Sequence, residues 1–177
     1  MQRTIPAAAM AIIAALSACT YGDRPTTAGA GSGAGSTGGE TISVAVGPCF
    51  GFCPVYQVSI APSGSVSYTG ERHTQMLGEQ HREAGSPTYG KVAAALAPYR
   101  PADGTTQRVD CDAAITDTSL YTITWRKADG TQAIATHQSR CSGGPGKALD
   151  GVLQGLPEQL GIAQWAKQVT RPGASRG

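Results

Sequence analysis

The sequence predicts an α+β domain: an antiparallel sheet built from hairpins, with two or three helices packed on one face. Three observations predict it. Short runs of alternating apolar and polar residues come in pairs around turn residues. Two later stretches place apolar residues at helical spacing. The order along the chain is strands, helix, strands, helix, which segregates the helices from an antiparallel sheet.

The first strand is "TISVAV", with Ile42, Val44 and Val46 on one face. "PVYQVSI" repeats the pattern with Tyr56, Val58 and Ile60. "APSGS" then turns the chain, because Pro62 presets φ and Gly64 permits a positive φ. "SVSYT" returns with Val66 and Tyr68 inward, and "TQML" is expected to extend the meander. "SPTYGKVAAALAPYR" is the first helix. Ser86 is placed to cap it, Pro87 suits its first turn, and Pro98 stops it. Tyr89, Val92, Ala93 and Leu96 share a face. A second hairpin follows in "SLYTITWRKADGTQAIAT", where Tyr121, Ile123 and Trp125 alternate with threonines and Asp129-Gly130 is the turn dipeptide. "GKALDGVLQGLPEQLGI" reads as one or two short helices with Leu149, Val152, Leu153 and Leu156 inward. Trp165 is expected to pack near the end.

The amino terminus, "MQRTIPAAAMAIIAALSAC", has a cation, an apolar run and small residues at its end. The run is shorter than the roughly 20 apolar residues a spanning helix needs, and its design is that of a signal peptide. Leu16-Ser17-Ala18-Cys19 resembles the lipobox of bacterial lipoproteins. That resemblance implies cleavage before Cys19, diacylation of its thiol and acylation of the new amino terminus. Two or three acyl chains anchor a protein stably where one does not. The resemblance also makes Thr20, which stands where many inner-membrane lipoproteins carry Asp, a residue favouring the outer membrane, facing the periplasm.

The expected organisation is therefore a signal peptide over 1–18, a lipidated Cys19 with a flexible tether over 19–40, one domain over 41–170 and a frayed tail over 171–177. Residues 20–40 hold seven glycines and one large apolar residue, Tyr21. Such a segment buries too little surface to offset its ordering entropy, and about 20 residues reach roughly 25 Å as a coil. Removing residues 1–18 takes away Arg3 alone and leaves 13 cations against 12 acids. That near-neutral balance gives no electrostatic footprint for nucleic acid.

"GPCFGFCPVYQVSIAPSGSVSYTG" resembles the signature of a bacterial family of uncharacterised envelope proteins, with a Cys-x-Gly-x-Cys-Pro-x-Tyr segment, a strand, a Gly turn and a Val-x-Tyr-x-Gly strand. Cys49, Gly51, Cys53, Pro54, Tyr56, Ile60, Gly64, Val66, Tyr68 and Gly70 carry the match. "TDTSLYTITWRKADG" and the Leu-rich end with Trp165 are similar to its later part. The resemblance implies fold and envelope location and supplies no activity. Cys111 and Cys141 fall outside the pattern.

With Cys19 given to lipid, four cysteines remain, an even number for an oxidising compartment. In one straight strand Cys49 and Cys53 would lie roughly 13 Å apart, beyond the roughly 7 Å that a disulfide allows. Gly51 permits a reversal that closes the gap. Cys111 and Cys141 flank the second hairpin. The expected pairs are thus Cys49–Cys53 and Cys111–Cys141. Cys49-x-x-x-Cys53-Pro54 also resembles the copper-site motif of Sco-type assembly proteins, with His73, His81 or His137 as a third ligand. There the motif leads into a helix, whereas "VYQVSI" is a strand. Phe50 and Phe52 are either an apolar contact site on the short loop or, for at least one of them, a residue packed under the sheet. "ERHTQMLGEQHRE" reads as a solvated strand or loop, and "SGGPGK" as the start of a helix, lacking phosphate-loop spacing. No zinc-ligand spacing and no Ser/His/Asp set is evident. The functional expectation is a non-catalytic, lipid-anchored envelope domain that binds an envelope protein or polymer, with no cofactor or metal. The alternative is a thiol-redox or copper-handling protein using Cys49 and Cys53.

Overall fold

The computed structural model describes residues 39–169. The expected signal segment, Cys19, most of the tether and the tail over 171–177 lie outside the described residues. Seven strands form one sheet: β1 (Thr41–Val46), β2 (Val55–Ile60), β3 (Ser65–Arg72), β4 (Gly78–Glu83), β5 (Thr106–Arg108), β6 (Leu120–Arg126) and β7 (Gln132–Gln138). Three helices accompany it: α1 (Ser86–Leu96), α2 (Gly144–Gln159) and α3 (Ala163–Ala166). The strand order is β4-β3-β2-β1-β6-β7-β5. Every neighbouring pair is antiparallel except β5 and β7, which run parallel. The class is α+β with a mostly antiparallel sheet.

Register explains the core. Ile42 pairs across with Ile60 and Trp125, Val44 with Val58 and Ile123, and Val46 with Tyr56 and Tyr121. Because alternate residues point to one face, these rows stack the apolar side chains of three strands together. They join Val92 and Leu96 of α1 and Leu149, Leu153 and Leu156 of α2 in one buried cluster. The opposite sheet face carries Ser43, Ser59, Thr122, Thr124 and Thr136, none of them buried. Val152 sits at the border of the core, partly buried. Trp165 packs its ring 5.7 Å from Tyr68.

Several expectations need correction. "TQML" does not extend the meander: it forms the β3–β4 turn, with Thr74 in an isolated bridge to Gln168. The strand that follows is the charged "GEQHRE", an edge whose Glu79, Arg82 and Glu83 are exposed. Such charges discourage pairing with another chain. The sheet is not wholly antiparallel, because the three exposed residues of β5 add to β7 in parallel. They have no apolar alternation to reveal them. Ser86 does not cap α1. The cap position is Gly85 at φ 81, with no side-chain cap bond. Gly64, at φ 92, explains that choice: a Cβ there would stand 2.1 Å from the Gly85 carbonyl carbon, so the turn and the helix start meet backbone to backbone. α1 does end before Pro98, at Leu96, and a 3-10 turn over Ala97–Tyr99 follows it. The "GKALDGVLQGLPEQ" stretch is one helix, with Pro157 inside it near its end.

The start of the described chain is tied down at one end of the sheet. The Tyr89 hydroxyl donates to the Glu40 carbonyl at 2.8 Å, and Arg100 Nε donates to Glu40 Oε2 at 2.8 Å. Arg100 and Lys127 both also pair with Asp103.

Candidate functional site

The row Gly78–Gly70–Tyr56–Val46–Tyr121–His137 runs across the sheet near the end opposite Glu40. Beyond it lie the β1–β2 loop, the β3–β4 turn, the segment before β6 and the β7–α2 connection. The six exposed large apolar residues among the described residues are Phe50, Phe52, Met76, Leu77, Ile115 and Leu120. All six fall in these loops or at the first residue of β6. Scattered exposed apolar residues need no explanation, whereas a cluster marks contact.

Two disulfides hold the loops, joining Cys49 to Cys53 and Cys111 to Cys141 as the local reversals predict. Gly51 sits at φ 136 inside the five-residue ring, and the Cα atoms of Cys49 and Cys53 are 5.7 Å apart. Neither phenylalanine packs under the sheet. Phe50 is 90% exposed and Phe52 44%, the latter edge-on to His73 at 5.3 Å. Backbone bonds from Phe50 N–H to the Asp117 carbonyl and from Gly47 N–H to the Leu120 carbonyl tie the ring to the segment before β6.

A cleft of about 490 Å³ opens beside this ring, within the range of small-ligand sites. Val46, Tyr56 and Tyr121 line it from the sheet, Leu153, Pro157 and Glu158 from α2, and Cys49, Phe50, Cys53 and Pro54 from the loop. Asp117, Thr118, Ser119, Ser139, Arg140 and Gln154 add polar groups to the lining. Burial pushes the Tyr56 phenol above its ordinary value, and the nearby Tyr121 phenol adds to the shift. The Tyr121 phenol is raised too, first by burial and then by the Asp150 carboxylate. Both therefore stay protonated at neutral pH. Neither makes a side-chain hydrogen bond among the described residues, and neither oxygen is sealed off from solvent.

Arg140 adopts φ 63, an uncommon left-handed conformation for a non-glycine residue. Asp150 of α2 holds it there. The buried Asp150 carboxylate accepts from the Arg140 and Cys141 N–H groups at 3.2 and 2.7 Å, and it bonds His137 Nε2 at 2.9 Å. His137 is fully buried, and its Nδ1 has no partner among the described residues. The Gly-rich start of α2 makes room for this cluster: a Cβ on Gly146 would come within 2.9 Å of Cys141 Sγ, the Asp110 carbonyl and His137 Cε1. No side chain caps that helix, and the Asp110 carbonyl accepts the Gly146 N–H instead.

The three histidines lie apart in role: His73 against Phe52, His81 bonded to Ser67 at 3.1 Å on β4, and His137 with Asp150. Among the described residues no group of three His, Cys, Asp or Glu is placed to hold a metal ion. No helix there is long and apolar enough to cross a membrane. Sequence reasoning found the disulfides and Phe50 but missed the cleft. Tyr56 and Tyr121 read as core alternation, and only their register across Val46 brings them together.

No curated protein matches the chain. Residues 40–159 match the model of a family described as a domain of unknown function, DUF6438. The match covers more than half of the chain, which belongs to that family.

Proposed function

We propose that this member of the DUF6438 family is a lipid-anchored cell-envelope protein whose domain binds another envelope component and performs no catalysis. The observation that carries the reading is the clustering of all six exposed large apolar side chains, among the described residues, at the sheet end away from Glu40. Supporting it are the lipobox Leu16-Ser17-Ala18-Cys19 and the Gly-rich segment after it. The Cys-x-Gly-x-Cys-Pro-x-Tyr pattern fits the same envelope setting. The disulfides Cys49–Cys53 and Cys111–Cys141 suit an oxidising compartment. In this reading Cys19 carries the acyl chains, the protein sits at the outer membrane facing the periplasm, and Phe50 and Phe52 are contact residues.

The anchor is tested by palmitate labelling of the full chain in a bacterial host. The Cys19→Ser variant loses the label and leaves the membrane fraction or stays unprocessed. Normal labelling of that variant overturns the anchor. A second reading, thiol-redox or copper chemistry at Cys49 and Cys53, draws on the place of both cysteines on the cleft lining. Ready reduction of that pair with stoichiometric copper(I) uptake would favour it over the first.

A further inference from the structure

We infer that the cleft beside the Cys49–Cys53 ring is a binding site for a neutral saccharide, one to three rings long and bearing hydroxyl or amide groups. The inference rests on the binding-domain reading and names its ligand class.

Four observations carry it. The first is the pair of phenols. Tyr56 is only 8% exposed and lines the cleft, and its hydroxyl makes no side-chain hydrogen bond among the described residues. Tyr121 stands two strands over, across Val46, with its hydroxyl equally free. A phenol hydroxyl both donates and accepts, so two phenols on one cleft lining, each without a protein partner and open to solvent, can bond a polar ligand in place of water.

The second is charge. Asp117, Glu158 and Arg140 all line the cleft, and none belongs to an ion pair among the described residues. Two acids beside one guanidinium oppose a carboxylate or phosphate ligand, and Arg140 opposes a cation. With Ser119 and Ser139 the lining both donates and accepts, which is the complement of a neutral polyol or N-acetylated sugar, whose groups do both.

The third is Phe50. Its ring is almost wholly exposed on a disulfide-closed loop at the cleft. A sugar ring presents weakly positive C–H groups on one face, and the negative face of an aromatic ring attracts them. Closing the loop by a disulfide lowers the ordering cost of binding through it.

The fourth observation separates a saccharide from a peptide that binds by strand addition. Extended peptides gain affinity by adding a strand to a free sheet edge. The strands at the cleft, β1, β2 and β6, are interior to the sheet, and the free edges β4 and β5 lie at its two sides. A peptide backbone finds no ladder here.

The test is calorimetric titration of the full chain, held in a detergent without sugar headgroups. The probes are the β-1,4-linked trisaccharide of N-acetylglucosamine, cellotriose and an uncharged blocked tripeptide. The account expects saturable one-to-one binding of at least one trisaccharide and none of the tripeptide. Phe50→Ala weakens it about tenfold and Tyr121→Phe several-fold, with melting temperatures unchanged. Phe50 is exposed and Tyr121→Phe keeps the ring, so neither change threatens the fold. No trisaccharide binding at millimolar concentration overturns the proposal. So does trisaccharide binding indifferent to both substitutions, and so does equal binding of the tripeptide. Failure here combined with an envelope cross-link from position 50 removes the saccharide and leaves the binding domain. Failure of both removes the broader reading too.

Discussion

The two disulfides should differ in what they contribute, and the difference follows from loop length and surroundings. Cys49 and Cys53 are separated by 4 residues, Cys111 and Cys141 by 30. In the chain-entropy model, closing the short loop restricts the unfolded chain by about 2 kcal/mol and closing the long one by about 3.5 kcal/mol. Surroundings widen the gap. Cys141 is buried, and its N–H donates to Asp150 beside the strained Arg140. Cys49 and Cys53 are half-buried on a loop that leads away from the core. The Cys111→Ser/Cys141→Ser double variant should therefore lose at least about 1.5 kcal/mol more than the Cys49→Ser/Cys53→Ser variant. Urea unfolding followed by the fluorescence of Trp125 and Trp165 measures both losses. A larger loss from the short-ring variant would refute the reasoning and make the ring a core element. A mapped Cys49–Cys111 or Cys53–Cys141 bridge would refute the pairing itself.

Three further perturbations test the fold. Gly64→Ala meets the Gly85 backbone at 2.1 Å with φ at 92, and should cost more than about 3 kcal/mol in the same unfolding assay. Asp150→Ala strands His137 Nε2 and two backbone N–H groups at the end of β7, and should cost at least about 3 kcal/mol. Lys127, followed by Arg100, holds the Asp103 carboxyl below its ordinary value of 3.8. A depressed folded-state value gives stability that is present above the unfolded value and lost as pH falls through the folded one. The stability gap between the native chain and Asp103→Asn should thus shrink as pH drops from about 5 to about 2, and a gap independent of pH would remove Asp103 from the account.

Much of the fold was legible because alternation is a strong signal when one sheet face is buried. Ile42, Val44 and Val46 announced their strand, and the same pattern placed β2, β3, β6 and β7. Gly51 and the Asp129-Gly130 turn made both disulfides legible by showing where the chain must reverse. β4 was legible only as a solvated strand or loop and β5 not at all, since an exposed edge has no buried face to write an apolar period. Ser86 misled because the close approach of Gly64 to Gly85, a long-range contact, decides where α1 begins. The cleft was invisible for a related reason. Tyr56 and Tyr121 lie 65 positions apart and meet only through the register of β1 with both neighbours. Arg140 and Asp150 carry no periodic signal, and their link exists only once α2 folds back on the end of β7.

In the proposed function, the loop end of an anchored domain engages an envelope component. The most direct measurement places a photo-activated cross-linking side chain at position 50 in living cells, with position 129 at the opposite sheet end as the reference. The account predicts a discrete envelope adduct from position 50, none from position 129, and loss of the adduct when Cys19→Ser releases the protein from the membrane. Equal adducts from both positions, or none from position 50 in the anchored protein, would contradict it.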